Sequence, residues 1–135
     1  MKRIVLDASA VMTFFENRPG AQKVEELLQL AMDGRRELFM SVVNWGEVYH
    51  SVWRSKGPGV ALKTIAEIAQ LPIELVDADY DFTKRAAELR AQHKLPYVDC
   101  FAAALALNRR AALSTSDSDF AQVEKQVTIL WATAP

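Results

Sequence analysis

Residues 95–120, LPYVDCFAAALALNRRAALSTSDSDF, decide how the rest of the chain is read. From Tyr97 to Asn108 the side chains are apolar on nearly every side, which predicts a central buried helix rather than one with a solvated face. Leu95-Pro96 opens it. Leu113 to Thr115 then reads as a short strand, and a short helix follows Asp117. Asp99 heads the apolar helix, among Val98, Cys100, Phe101, Ala102, Ala103 and Ala104, and is therefore expected to be at least partly buried. A buried carboxylate is costly unless it is paired or coordinates a metal.

Working outward, Arg3 to Leu6 is a branched apolar run that predicts a buried strand ending at Asp7. Ala8 to Phe15 predicts a short helix, broken by Asn17-Arg18-Pro19-Gly20. Val24, Leu27, Leu28 and Ala31 recur at helical spacing over Ala21 to Met32, with Gly34 as a stop. Glu37 to Met40 is a second strand. Asn44-x-x-Glu47 reads as a capping-box variant opening a helix to about Lys56, with Gly57-Pro58 marking its end. Val60 to Ala69 is a further helix, Ile73 to Val76 a third strand, and Asp77-Ala78-Asp79 a cap for a helix to about Ala91. Val127 to Leu130 is the last strand. No repeat or low-complexity tract interrupts this order.

Short strands alternating with helices predict an α/β domain with a short, mainly parallel sheet of about five strands covered on both faces. Ligands in such sheets bind beyond the carboxyl ends of the strands. Strand order is not legible at this point.

The totals agree with one such domain. The chain has 135 residues, half of them hydrophobic and 24% charged. A domain of this length buries roughly two thirds of its unfolded surface and needs no disulfide or structural metal. The single cysteine, Cys100, has no internal partner, and no Cys/His cluster has zinc spacing. Asp7 interrupts the first apolar run too early for a signal-peptide core, and no stretch reaches the roughly 18 apolar residues of a membrane span. A cytoplasmic protein is expected, where a free thiol persists. The net charge of −1 argues against a coat held on DNA by bulk positive charge. If several acids gather in one cleft, the remaining surface is effectively basic. Arg35/Arg36, Arg54/Lys56, Lys84/Arg85 and Arg109/Arg110 are then candidates for phosphate contact, although each pair alone reads as an ordinary solvated face.

Four acids fall at the ligand edge of the predicted sheet. Asp7 ends the first strand and Asp117 follows the fourth; Glu47 and Asp99 sit in the first turns of helices. Each has a plain structural explanation, as an N-cap (Asp7, Asp117), half of a capping box (Glu47) or a first-turn acid favoured by the helix dipole (Asp99). Together they imply more. Clustered carboxylates repel, and without a counter-cation some protonate. Magnesium and manganese prefer oxygen ligands, so a ring of Asp and Glu without His or Cys suits Mg²⁺ or Mn²⁺. Such a site supports phosphodiester hydrolysis without a covalent enzyme intermediate.

At these residues the sequence resembles the PIN domain family, and within it the stand-alone VapC-type toxins of toxin–antitoxin pairs. The likeness lies in IVLDASAV (4–11), WGEVYHSVWR (45–54), the stretch at 95–120 and a closing strand, in that order and spacing. The resemblance implies a PIN-like three-layer fold and a metal-dependent endoribonuclease. It places Asp7, Glu47, Asp99 and Asp117 in the family's acidic quartet, with Asp7, Asp99 and Asp117 holding metal and Glu47 positioning metal or the attacking water. Asp119 matches a frequent additional acid, though it also fits an exposed position before the core anchor Phe120. Ser9 and Thr115 match small hydroxyl positions near the site. An RNA substrate, a VapB-like antitoxin and a homodimer are further implications. The stripe Trp45, Val48, Tyr49, Val52 and Trp53 reads first as ordinary core. Three large aromatics on one helix also suit a partner surface, with Trp45, Tyr49 and Trp53 as its residues.

Other readings fit less well. A phosphorylation-switched receiver wants paired acids at the first strand and a Lys after a later one, and a dehalogenase-type phosphatase wants a second Asp where Ser9 stands. A serine hydrolase lacks its G-x-S-x-G elbow. A catalytically silent PIN-like interaction domain is the remaining alternative. His50 and His93 have no neighbouring nucleophile in sequence, and Asp77 and Asp79, also after a strand, stay open as site residues.

Overall fold

The computed structural model describes residues 2–133. Five parallel strands, β1 (Arg3–Leu6), β2 (Glu37–Ser41), β3 (Ile73–Val76), β4 (Ala112–Thr115) and β5 (Ile129–Trp131), lie in the order β3-β2-β1-β4-β5. Six helices cover the sheet: α1 (Ala8–Phe15), α2 (Ala21–Met32), α3 (Val42–Lys56), α4 (Pro58–Ile68), α5 (Tyr80–Gln92) and α6 (Tyr97–Arg109). A 3₁₀ helix spans Ser118–Val123.

Alternation along the strands divides the core in two. Ile4, Leu6, Leu38, Met40 and Ala112 face the layer containing α1 to α4, whereas Val5, Phe39 and Leu113 face α5, α6 and the 3₁₀ segment. This is the period-two consequence of a pleated strand with both faces buried. Helix α6 is enclosed as its composition requires: every residue from Cys100 to Ala106 is buried. No helix among the described residues is long and apolar enough to cross a membrane.

Several boundaries differ from the sequence reading. Helix α3 starts at Val42, because Ser41 at the end of β2 caps it by accepting a hydrogen bond from the Val43 amide at 3.2 Å. Asn44 and Glu47 therefore form no capping box, and Glu47 lies in the second turn. Gly57-Pro58 ends α3 and also begins α4, with Pro58 in the first turn where its missing N–H costs nothing. Strand β5 starts at Ile129 rather than Val127, since the Val127 amide closes a turn on the Val123 carbonyl at 2.9 Å.

The strand order creates the crevice. From β1 the chain builds outward to β2 and β3, then returns through α5 and α6 to lay β4 on the other side of β1. Such a reversal opens a gap beyond the carboxyl ends of the two strands that flank it. Here those strands are β1 and β4, paired through Leu6 and Ser114.

Candidate active site

Asp7 and Asp117 follow those two strand ends. Asp7 is 2% exposed, and its carboxylate is held from three sides. Oδ1 accepts from the Ala10 amide at 2.8 Å, which caps α1, and from the Ser9 hydroxyl at 2.8 Å. Oδ2 accepts from the Thr115 hydroxyl at 2.6 Å. The Thr115 oxygen in turn accepts from the Asp117 amide at 3.0 Å, and Ser9 Oγ accepts from the Ser116 amide at 2.9 Å. Ser9 and Thr115 are themselves 3.1 Å apart. These two hydroxyls lock the end of β1 to the end of β4. Asp117 caps the 3₁₀ helix by accepting from the Asp119 amide at 2.9 Å. The cap explanations for Asp7 and Asp117 are therefore true of the structure, and both residues still stand at the crevice.

Helix α6 brings in the third acid. Asp99 is 7% exposed, and oxygens of Asp99, Asp117 and Asp119 lie within 4.8 Å of one another. Asp7 does not join this trio. Burial raises the Asp99 carboxyl from 3.8 to about 8, with a hydrogen bond to Asp117 and the charges of Asp117, Asp7 and Glu47 adding to the rise. Burial likewise raises Asp7 to about 6, against the lowering effect of the Thr115, Ala10 and Ser9 hydrogen bonds. Glu47, on α3, is also pushed up by burial and by Asp117, and is held down by a hydrogen bond from the Asn44 side chain. The four acids thus act on one another electrostatically.

Asn44 is the contributor that sequence reasoning assigned wrongly. It is fully buried, its amide nitrogen donates to the Val98 carbonyl at 2.9 Å, and its Oδ1 has no hydrogen-bond partner. The residue ties α3, carrying Glu47, to the first turn of α6, carrying Asp99. One signal was present in the sequence: Asn44, Val48 and Val52 recur every four residues and share the buried face. The stripe on α3 divides accordingly. The two valines point inward, while Trp45, Tyr49 and Trp53 run along its outer flank with ring centroids 5.9 and 5.7 Å apart; Trp53 is 46% exposed.

The remaining candidates lie elsewhere. Asp77 and Asp79 follow β3, the edge strand two places from β1, and Asp79 caps α5 by accepting from the Phe82 amide at 2.9 Å. His93 faces Gln126 at 3.4 Å, and His50 is exposed beside Glu47. The donor set of the trio is all oxygen, and its charges repel, so it fits a hard divalent cation.

Thr115→Val tests the hydroxyl lock. Valine has nearly the same shape but removes the donor to Asp7 and the acceptor for the Asp117 amide. Any cation-dependent activity of the crevice is expected to fall by roughly 10- to 100-fold, with a matching rise in the cation concentration needed for half-maximal rate. Unchanged metal dependence would show that the lock does not act on the acids.

A PIN domain family model matches residues 4–126, and the chain belongs to the PIN domain family. Solved structures of VapBC toxin–antitoxin systems share its fold. The VapBC2 complex of Rickettsia felis, bound to a promoter DNA fragment, is 18% identical with a TM-score of 0.75, over 96% of this chain and 98% of that one. VapBC-1 of nontypeable Haemophilus influenzae is 18% identical with a TM-score of 0.73, over 98% and 99%. Mycobacterium tuberculosis VapC20, a sarcin–ricin loop cleaving toxin, is 16% identical with a TM-score of 0.70, over 89% and 94%. No curated protein matches by sequence.

Proposed function

We propose that this PIN domain is a metal-dependent endoribonuclease that hydrolyses RNA phosphodiester bonds, and that it is the toxin of a type II toxin–antitoxin pair. The observation that carries the reading is the meeting of Asp99, Asp117 and Asp119 at the crevice between β1 and β4, with Asp7 and Glu47 in electrostatic contact.

Asp99, Asp117 and Asp119 would hold Mg²⁺ or Mn²⁺, with Asp7 helping through its charge or through water. A bound divalent cation supplies charge neutralisation at the phosphoryl group and a more acidic attacking water. The other roles belong to the chain itself. Glu47, half-buried and with a raised pKa, orients the water and accepts its proton. Ser9 and Thr115 keep Asp7 in one orientation, and Asn44 holds α3 and α6 in register. The Ser9 and Thr115 hydroxyls beside Asp7 are tied into the lock between β1 and β4, which favours direct hydrolysis over a covalent intermediate.

A VapB-like antitoxin is the proposed protein partner, by analogy with the VapBC complexes. Support comes from two hollows on opposite flanks of α4, the helix packed on α3. One, of about 570 Å³, is lined by Trp45, Leu62, Ile65, Ala69, Ile73 and Leu75, and the other lies between Met12, Phe15, Val52, Val60 and Lys63. A homodimer and a cytoplasmic location complete the reading.

The test is cleavage of RNA by purified protein freed of any antitoxin. Cleavage with magnesium or manganese is expected, abolished by EDTA and restored by excess cation. Folded protein that leaves RNA intact across both metals would make this a silent interaction domain. Lasting phosphorylation of one Asp by acetyl phosphate would revive the receiver reading.

A further inference from the structure

The amino-terminal edge of the sheet, opposite the acids, collects basic residues from three remote segments. The Glu37 amide donates to the Lys2 carbonyl at 3.0 Å, which brings Arg35 and Arg36 beside Lys2. The Arg3 guanidinium donates to the Arg109 carbonyl at 3.2 Å, which brings Arg109 and Arg110 beside Arg3. A shallow concavity of about 610 Å³ is lined by Lys2, Arg3, Glu37, Arg109 and Arg110. Three cations have defined structural partners: Arg3 pairs with Glu37 at 3.4 Å, Arg109 pairs with Glu74 at 3.6 Å while lying 4.8 Å from the centre of the Phe39 ring, and Arg36 donates to the Arg35 carbonyl at 2.8 Å. Lys2, Arg35, Arg36 and Arg110 form no ion pair among the described residues. Six of the chain's sixteen Lys and Arg residues thus stand at one edge of a protein whose net charge is −1.

We infer that this basic edge is a second, non-catalytic contact for RNA that grips the phosphate backbone of a folded substrate remote from the bond being cut. The inference rests on the ribonuclease reading and narrows its substrate class to RNAs large enough to span both edges. Arginine predominates in the patch, and its planar fork matches phosphate better than an ammonium does. Outside the crevice and this edge the positive and negative side chains nearly balance, so the edge is where backbone beyond the scissile site finds compensation. Strand β1 alone separates Arg3 from Asp7 by about 13 Å at some 3.3 Å per residue, so a dinucleotide in the acid crevice, one phosphate step of roughly 3.4 Å in a stacked strand, does not reach the patch.

The triple variant Arg35→Gln, Arg36→Gln, Arg110→Asn removes three cations outside the acid site. Asparagine suits position 110, whose φ of +52° is left-handed. Binding is measured by fluorescence anisotropy in an Asp99→Asn background, which requires no cleavage, with a folded RNA of several tens of nucleotides and with a dinucleotide. For the folded RNA, the slope of log affinity against log salt is expected to shrink by about 2, and the affinity lost between 50 and 200 mM salt to shrink by more than about tenfold. Binding of the dinucleotide, and its cleavage when Asp99 is intact, should be unchanged. An unchanged slope for the folded RNA overturns the inference and leaves the edge to an acidic protein. Equal losses for both RNAs overturn it as well, since they place the charges at the crevice or implicate the fold. If no RNA is cut by any form while the slope falls as expected, the nuclease reading fails and the RNA-gripping edge stands.

Discussion

Asp99→Asn is expected to reduce RNA cleavage by about a thousandfold, equivalent to roughly 4 kcal/mol of transition-state stabilisation, while making the metal-free protein more stable at pH 8. Both effects have one cause. The Asp99 carboxyl is buried at the head of an apolar helix and faces Asp117, Asp7 and Glu47, so its ionised form is resisted by burial first and by like charge second. Asparagine keeps the shape and deletes that charge. It also deletes one of the three negative charges that would capture a cation. A rise in melting temperature of about 2–5 °C is expected in EDTA, corresponding to roughly 1 kcal/mol in a domain of this size. Calorimetry beside a cleavage assay measures both quantities. Full activity in this variant would remove Asp99 from the mechanism, and a lowered melting temperature would show that its carboxylate is paired rather than strained.

The second large effect is the pH dependence of stability without metal. Burial pushes Asp7 up to about 6 and Asp99 up to about 8 in the folded chain, from an ordinary value of 3.8 for each. Between these limits the folded state binds more protons than the unfolded state, so stability falls as pH rises from about 4 to 8 and levels beyond. The usual salt-bridged carboxylate, with its lowered pKa, behaves in the opposite sense. Magnesium should cancel the loss, because it binds the deprotonated cluster and releases protons as it does so. Melting curves from pH 5 to 9 are expected to slope downward in EDTA and to be flatter and higher in magnesium. The Asp99→Asn variant should flatten the EDTA curve. A wild-type EDTA curve that rises with pH would mean the carboxylates do not share one low-dielectric pocket.

Much of this was legible in the chain because local chemistry and periodicity carry it. The apolar stretch Cys100 to Ala106 admits no solvated face, so α6 had to be buried. Asp7 closes a branched run that could not be solvated, and Asp117 closes the short strand at Leu113 to Thr115. Both residues are N-caps and crevice acids together, since a cap after a strand in a parallel sheet stands at the ligand edge. Local reasoning offered these as alternatives, which the structure shows to be compatible. Where the reading failed, a side chain served a distant contact in place of a near one. Asn44 looked like a cap, yet Ser41 was one residue from the helix start and took that role, freeing Asn44 to bond Val98 on another helix.

The sequence by itself determined the parallel α/β class, the burial of α6 and the assignment of acids to strand ends and helix starts, because these follow from spacing and side-chain type within a few turns of backbone. Tertiary structure alone decided that β4 returns beside β1 and that β3 goes to the edge. That placement brings Asp99, Asp117 and Asp119 within 4.8 Å and leaves Asp77 and Asp79 outside. The physical reason is that strand order depends on which long crossovers bury the most surface, a property of the whole packed molecule that no local pattern encodes.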